Sequence, residues 1–194
     1  MLTLYLTRHG ETEENVAKIL QGHLPGQLTA RGLEQAAALR DELCASGLHF
    51  DVFLTSDLLR ARRTADIVAE GVGLTPLPCP LLRERDWGSM TGLPAAALRH
   101  RQLAPDAETV AQMMDRARRF LKYIRCQYDG LSVLAMAHGL FNRCIAATLQ
   151  GGKLQDIPLW QNGEVRRLTV EGEAEDGAWL QLRATGRPEG AAMK

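Results

Sequence analysis

The sequence predicts an α/β fold: a three-layer α/β/α sandwich with a mostly parallel central sheet and a small cap region. Strand-like and helix-like segments alternate along the chain, which is typical of layered α/β domains. Residues 131–136 are apolar apart from Ser132, as expected for a parallel strand with both faces buried. The 194 residues, 45% of them hydrophobic, suit one core. We expect one domain over 1–184, including a small cap and helix region at 93–130, and a flexible tail at 185–194.

The first part of the chain predicts two strands and two helices. Leucines alternate with threonine and tyrosine over residues 2–7, which indicates a strand. Thr29 precedes apolar residues at helical spacing and is a suitable N-cap for a helix. Residues 52–54 are a short apolar run and predict the second strand. Ser56 is then expected to cap a second helix, which ends near Gly73 because glycine favours helix C-termini.

The second part predicts a loop, two helices and three strands, beginning with a proline-rich stretch. Three prolines favour an extended or loop-like path over residues 74–92. Apolar residues at helical spacing predict a long helix over 110–124, and another helix over 140–149 follows the buried strand. Apolar residues in 165–170 and 179–182 flank an acidic turn and suggest a hairpin. Its exposed edge offers a route to homo-oligomers.

Composition and charge exclude several classes of function. Lys plus Arg and Asp plus Glu both number 23, so the formal net charge is zero. A general electrostatic field for nucleic acid is therefore absent. The first ten residues lack the features of a signal peptide or membrane span. The four cysteines are far apart, which favours reduced thiols over a zinc ribbon. We expect a cytoplasmic protein that requires no metal or other cofactor and binds neither nucleic acid nor membranes.

Arginine dominates the basic residues. Only four of the 23 are lysines, so 19 are arginines, and the guanidinium group binds phosphate and carboxylate bidentately. Arg60 falls in the first turns of a predicted helix, where the helix dipole disfavours a cation. An anion bound nearby would explain a cation at that position.

Two predicted strands end in the same way, with a histidine followed by glycine. His9-Gly10 follows the first strand, and His138-Gly139 follows the buried strand at 131–136. Ligands of open parallel sheets bind beyond the carboxyl ends of the strands. We therefore expect the two histidines to converge, with the glycines allowing a ligand to approach the backbone closely.

These residues and others in order along the chain resemble the histidine phosphatase superfamily, also called the phosphoglycerate mutase-like family. The R-H-G-E-T sequence at 8–12 matches the family's N-terminal motif. The S-D-L-x-R-A stretch at 56–61, the L-R-E-R-D-W-G segment at 82–88, the H-G pair at 138–139 and N-G-E-V at 162–165 follow in the expected order. The resemblance spans residues 2 to about 170.

The resemblance implies a role for each matching residue. His9 takes the place of the nucleophile and Glu84 that of the proton donor. The implied catalytic residues are His9, Glu84, His138, Arg8 and Arg60. The implied phosphate ligands are Arg8, Asn15, Arg60, His138 and Gly139. The implied substrate contacts are Gln21, Gly22 and Arg85. No metal site is implied.

The resulting hypothesis is a metal-independent phosphomonoesterase that forms a phosphohistidine on His9 and acts on a small anionic phosphorylated metabolite. Cationic neighbours would keep His9 neutral and nucleophilic, and a cationic His138 would stabilise the developing charge. A cofactor-dependent phosphoglycerate mutase is an alternative because the sequence E-R-x-W-G from Glu84 resembles the mutases' E-R-H-Y-G. The short stretch 93–137, 45 residues, leaves a small cap, which favours hydrolysis. A non-catalytic phosphate-binding domain is a second alternative, against which the retained nucleophile and proton donor argue.

Overall fold

A computed structural model describes residues 1–99 and 101–171 of the chain. Five strands form one sheet in the order β3-β2-β4-β1-β5. Strands β1 to β4 run parallel to one another, and β5 pairs antiparallel with β1 at the edge of the sheet. The strands are β1 (Leu2–Arg8), β2 (Val52–Thr55), β3 (Leu77–Pro78), β4 (Ser132–Ala137) and β5 (Val165–Val170).

Five α-helices connect the strands, and their termini follow local capping rules. Thr29 accepts a hydrogen bond from the backbone N–H of Gly32 and caps the second helix, as predicted. Gly73 and Gly151 end two helices in the left-handed conformation, with φ of 71° and 62°. The helices are α1 (Glu13–Val16), α2 (Ala30–Ala45), α3 (Leu59–Val72), α4 (Val110–Tyr128) and α5 (Gly139–Gln150).

The helices cover both faces of the sheet, which confirms the predicted α/β sandwich. On one face, Val133 and Ala135 of β4 pack in a cluster with residues of α4 and α5. On the other face, Leu134 and Met136 pack with residues of α2 and α3. All four side chains are fully buried, which explains why this strand has almost no polar residue.

The register of the two central strands positions the site. Arg8 at the end of β1 pairs with Ala137 at the end of β4, and the N–H of His9 donates to the Ala137 carbonyl at 3.2 Å. His9 and His138 therefore leave the sheet side by side at its carboxyl edge.

Several local predictions differ from the structure. Ser56 is not the cap of α3: the N-cap is Leu58, which makes no side-chain cap. Residues 77–78, within the predicted loop, add β3 at the sheet edge, where proline is tolerated because one side of the strand is unpaired. The short α1, held by a capping box between Thr12 and Asn15, was not predicted.

The region 93–130, predicted as cap and helix, divides into two parts. Residues 95–99 form a 3₁₀ turn, and a largely exposed loop leads to α4. Helix α4 packs in the core through residues such as Phe120 and Leu121, whereas Leu103 and Ala104 of the preceding loop pack against a separate small cluster that includes Trp87. The predicted strand at 179–182 and the predicted tail at 185–194 lie outside the described residues.

None of the helices described is both long enough and apolar enough to cross a bilayer.

Candidate active site

The two histidines that follow β1 and β4 lie against each other beneath a small cavity. Their ring centroids are 5.0 Å apart with an interplanar angle of 60°. His9 is 3% exposed and His138 is fully buried. The predicted convergence of these residues is therefore present in the structure.

His9 is held with one ring nitrogen free to react. Its Nδ1 lies 2.7 Å from the carbonyl oxygen of Gly10, an acceptor only, so Nδ1 carries the proton. Nε2 then has a lone pair, which accepts a hydrogen bond from Nε of Arg60 at 3.3 Å. Burial first, and then the charges of Arg60 and Arg8, hold the pKa of His9 well below its usual range. The ring is therefore neutral at pH 7.

Arg60 lies in the first turn of α3, and its guanidinium is buried beside His9. It donates from Nη1 to the carbonyl of Leu24 at 2.6 Å and from Nη2 to the carbonyl of Gly22 at 2.9 Å. Burial lowers the pKa of Arg60 to about 10, so the group stays cationic at pH 7. A 1% exposed cation at a helix N-terminus is unfavourable unless an anion joins it.

Arg8 supplies a second guanidinium to the same site. Its Nη1 donates to the carbonyl of Trp160 at 2.6 Å, and its buried Nε has no partner. A Cβ added at Gly139 would lie 3.2 Å from the Arg8 guanidinium carbon, so the close approach of the two residues depends on glycine. Burial lowers the pKa of Arg8, although Glu84 and Glu164 oppose this effect.

His138 is neutral in this structure. Burial, followed by the charges of Arg60 and its other neighbours, holds the pKa of His138 well below its usual range. The cationic form of His138 is thus disfavoured while no anion is bound. Its Nε2 lies 2.8 Å from Oγ of Ser56, and its Nδ1 is buried without a partner.

Glu84 lines the cavity and contacts the N-terminus of the helix that follows His138. Its Oε2 accepts a hydrogen bond from the N–H of Leu140 at 3.2 Å, and its Oε1 accepts one from its neighbour's backbone at 2.8 Å. The segment leading to Glu84 is fixed by Arg116, which donates to the carbonyl of Arg83 at 2.6 Å and pairs with Glu108 at 2.7 Å. Glu108 and Arg116 were not among the site residues predicted from the sequence.

Two asparagines, Asn15 and Asn162, link the site to the loop that precedes β5. Asn162 donates to the carbonyl of His9 at 2.9 Å and to Oδ1 of Asn15 at 3.4 Å. Gln21 reaches the carboxylate of Glu14 at 2.7 Å. These bonds fix the loop that carries the predicted phosphate and substrate contacts.

A cavity of about 170 Å³ unites most of the predicted residues. Three predicted site residues do not line it. His138 is fully buried against His9, and Gly139 lies against the Arg8 guanidinium. The guanidinium of Arg85 stacks on Trp87 at 4.2 Å, and its Nε donates to the carbonyl of Glu108. A substrate role for Arg85 stays a prediction. The cavity is lined by Arg8, His9, Asn15, Ile19, Leu20, Gln21, Gly22, Arg60, Glu84, Trp87 and Leu140.

A larger cleft of about 770 Å³ is lined by residues including His23, Arg83 and Arg119. His9 lines the smaller cavity but not this cleft, and two of the cleft's three arginines, Arg83 and Arg116, are already paired with carboxylates. We therefore assign the chemistry to the smaller cavity. Within the described part of the chain, no three His, Cys, Asp or Glu side chains gather as metal ligands.

Comparisons with known proteins show which proteins the chain resembles. A family model described as "Histidine phosphatase superfamily (branch 1)" matches residues 4–182. A "Probable phosphoglycerate mutase GpmB" of Serratia proteamaculans (strain 568) is 34% identical over 167 residues, which cover 78% of this chain and 76% of that protein. Bacillus stearothermophilus YhfR matches with a TM-score of 0.83 at 26% identity, covering 96% of both chains. A mycobacterial glucosyl-3-phosphoglycerate phosphatase has the same fold, with a TM-score of 0.81 at 23% identity over 95% of this chain and 98% of that one.

Proposed function

Since the chain belongs to the histidine phosphatase superfamily, we propose that it is a metal-independent phosphomonoesterase that forms a phosphohistidine on His9. One observation carries the proposal: two side chains close to a neutral histidine each keep a buried nitrogen without a hydrogen-bond partner. Among the described residues, four buried side-chain polar atoms lack a hydrogen-bond partner, and two of them are Nε of Arg8 and Nδ1 of His138. A phosphoryl group placed at Nε2 of His9 would accept from both.

The energetics favour an anion at this place. An unsatisfied buried donor costs about 1–3 kcal/mol, and more when it is charged. Arg8 and Arg60 bring two positive charges beside His9, which match the two negative charges of a phosphoryl group. Because His9, His138 and Arg60 are buried, such fixed donors stabilise developing charge more strongly than solvent would.

The proposed reaction has two steps. In the first, the lone pair of His9 Nε2 forms a bond to phosphorus while the bond from phosphorus to the leaving oxygen breaks. The protonated carboxyl of Glu84 gives its proton to that oxygen. In the second, water attacks phosphorus and gives a proton to the Glu84 carboxylate, and the phosphorus–nitrogen bond breaks. Inorganic phosphate leaves, and His9 returns to its neutral form.

The walls of the cavity support hydrolysis over mutase activity. Apart from the proposed phosphate ligands, much of the cavity lining is apolar. The apolar residues are Ile19, Leu20, Trp87 and Leu140. A phosphoglycerate mutase must also hold the carboxylate and second oxygen function of its substrate. The cavity has no third cation for this purpose, because the guanidinium of Arg85 faces Trp87 and Glu108. In the proposed substrate, a small phosphorylated metabolite, the phosphoryl group carries most of the negative charge.

A phosphoglycerate mutase is the second candidate. It is favoured by the 34% identical relative that is named as one and by the E-R-x-W-G sequence that begins at Glu84.

The test is phosphate release from a panel of monoesters with EDTA present, alongside an assay for interconversion of 2- and 3-phosphoglycerate. The panel contains p-nitrophenyl phosphate, α-ribazole-like and sugar phosphates, and 3-phosphoglycerate. We expect release from several esters in EDTA, with aryl phosphates turned over faster than 3-phosphoglycerate. Interconversion of phosphoglycerates without net phosphate release would establish the mutase instead, and a loss of activity in EDTA restored by a divalent metal would overturn the metal-free mechanism.

A further inference from the structure

Ser56 is a buried residue that the proposed reaction does not use directly. It follows β2, and its N–H donates to the carbonyl of Met136 in β4 at 2.9 Å. The sheet thereby places its fully buried side chain next to the residue that follows β4. Oγ of Ser56 lies 2.8 Å from Nε2 of His138.

The hydrogen bonds of Ser56 restrict where its proton points. The N–H of Leu58 donates to Oγ at 3.3 Å, so Oγ already acts as an acceptor there. A serine hydroxyl has one proton to donate and two lone pairs. Among the described residues, Nε2 of His138 is the acceptor recorded within reach of Oγ for that proton.

The state of the histidine follows from the direction of this bond. If Ser56 donates to Nε2, that nitrogen carries the ring's lone pair and the proton of the neutral ring is on Nδ1. Nδ1 is the buried atom without a partner. It becomes an N–H donor without an acceptor among the described residues, in a ring whose centroid is 5.0 Å from that of His9.

We propose that Ser56 is a positioning residue: it donates to Nε2 of His138 and thereby fixes the tautomer in which Nδ1–H is offered to the transferring phosphoryl group. The opposite tautomer would turn a lone pair toward the phosphoryl oxygens and repel them. The part of this proposal that concerns the phosphoryl group rests on the proposed function, whereas the part that concerns the tautomer does not.

The first test reads the tautomer directly in the unliganded protein. Long-range ¹H–¹⁵N correlation spectra of ¹⁵N-histidine-labelled protein at pH 7.5 distinguish a protonated from an unprotonated ring nitrogen, and the His138→Gln variant assigns the signals. We expect a protonated Nδ1 and an unprotonated Nε2. A protonated Nε2 in the wild-type protein would overturn the proposal, whatever the enzyme's activity.

The second test uses Ser56→Ala, Ser56→Thr and Thr55→Val. In metal sites, removing the hydrogen-bond partner that orients a ligating histidine lowers metal affinity or activity by about 10- to 100-fold. We expect Ser56→Ala to lower kcat/KM by a similar factor. Its His138 signals should show both tautomers, and binding of inorganic phosphate should weaken. Ser56→Thr keeps the hydroxyl and should restore the wild-type tautomer.

Thr55→Val is the matched control because it removes a neighbouring buried hydroxyl that bonds only to the Ser56 carbonyl. We expect it to keep the tautomer and the activity. Unchanged kcat/KM and phosphate binding in Ser56→Ala would overturn the positioning role. If Ser56→Ala does not fold, the wild-type and Ser56→Thr spectra still decide. If no phosphate ester is hydrolysed but Nδ1 is protonated, the proposed function fails while the tautomer assignment stands.

Discussion

At the scale of single residues, burial sets the chemistry of the site. His9 and His138 are ordinary histidines in the sequence, yet both are enclosed with two arginines close by, and the pKa of each is held well below its usual range. A neutral imidazole with a free Nε2 is a nucleophile, whereas a protonated one is not. The reactivity of His9 therefore depends on its surroundings more than on its identity.

Replacement of the nucleophile tests this directly. His9→Ala should abolish phosphate release, because it removes the neutral ring nitrogen, Nε2 beside Arg60, that is proposed to attack phosphorus. The measurement is release from p-nitrophenyl phosphate, with circular dichroism to confirm folding. His49→Ala is the control, since the His49 side chain is 86% exposed and pairs only with Asp51. Substantial activity in a folded His9→Ala protein would remove His9 from the mechanism.

The proton donor is tested by its dependence on the leaving group. Glu84→Gln keeps the shape of the side chain but has no acidic proton. An alkyl leaving group needs that proton, whereas p-nitrophenolate leaves without it. We expect a loss of about 10²–10⁴-fold for alkyl phosphates and a much smaller loss for p-nitrophenyl phosphate in single-turnover phosphorylation of His9. Equal losses for both substrates would assign Glu84 to positioning alone.

At the scale of elements, one close contact joins the site to the helix layer. Gly10 lies in the loop that follows β1, and Gly32 lies in the first turn of α2. The two glycines are in close contact. A Cβ added at Gly32 would lie 2.1 Å from the carbonyl oxygen of Glu11, which is rigid backbone next to the nucleophile. The helix can approach the site this closely only because both positions lack a side chain.

Gly32→Ala should therefore destabilise the protein although alanine is the better helix former. The higher helix propensity of alanine stabilises the folded protein by up to about 1 kcal/mol. Overpacking of the new methyl group against rigid backbone destabilises it by about 1–3 kcal/mol or more. The free energy of unfolding in urea measures the balance, and kcat/KM should also fall. Gly152→Ala is the control, because a Cβ there meets nothing within 4 Å. Equal stability of the two variants would contradict the close packing.

At the scale of the whole molecule, the buried histidines couple folding to pH. Their pKa values are lowered in the folded state, so the unfolded chain binds more protons as the pH falls below about 6.5. Stability is therefore lost on acidification from about pH 6.5 toward the folded pKa values. Arg83 holds the pKa of Asp57 below its usual range, so the stability from that pair is lost only below about pH 4.

The free energy of unfolding should thus fall between pH 6.5 and pH 4.5. Each neutral buried histidine contributes a slope of up to about 1.4 kcal/mol per pH unit. Urea titrations at several pH values measure the slope for the wild type, His9→Gln and His138→Gln. Each variant should have a shallower slope than the wild type. An unchanged slope in both variants would show that the two histidines are protonated when folded.

Much of the site could be predicted from the sequence because its residues stand at the ends of recognisable elements. Alternating leucines locate β1, and a buried apolar run locates β4, so the histidines that follow them were placed at one edge of a parallel sheet. The family and the α/β sandwich are confirmed by the comparisons and the topology. These inferences succeed because periodicity and element boundaries are properties of short stretches of chain.

The partners of individual side chains were decided by the tertiary structure. Ser56, expected to cap a helix, instead lies 2.8 Å from a histidine 82 positions away. Arg85, expected in the site, stacks on Trp87. Burial and neighbouring charges lower the pKa of His138. Local sequence determined which residues end the strands of this protein. Which hydrogen bonds they make, and which protons they hold, depends on burial and on charges brought together from distant parts of the chain, and only the packed structure fixes these.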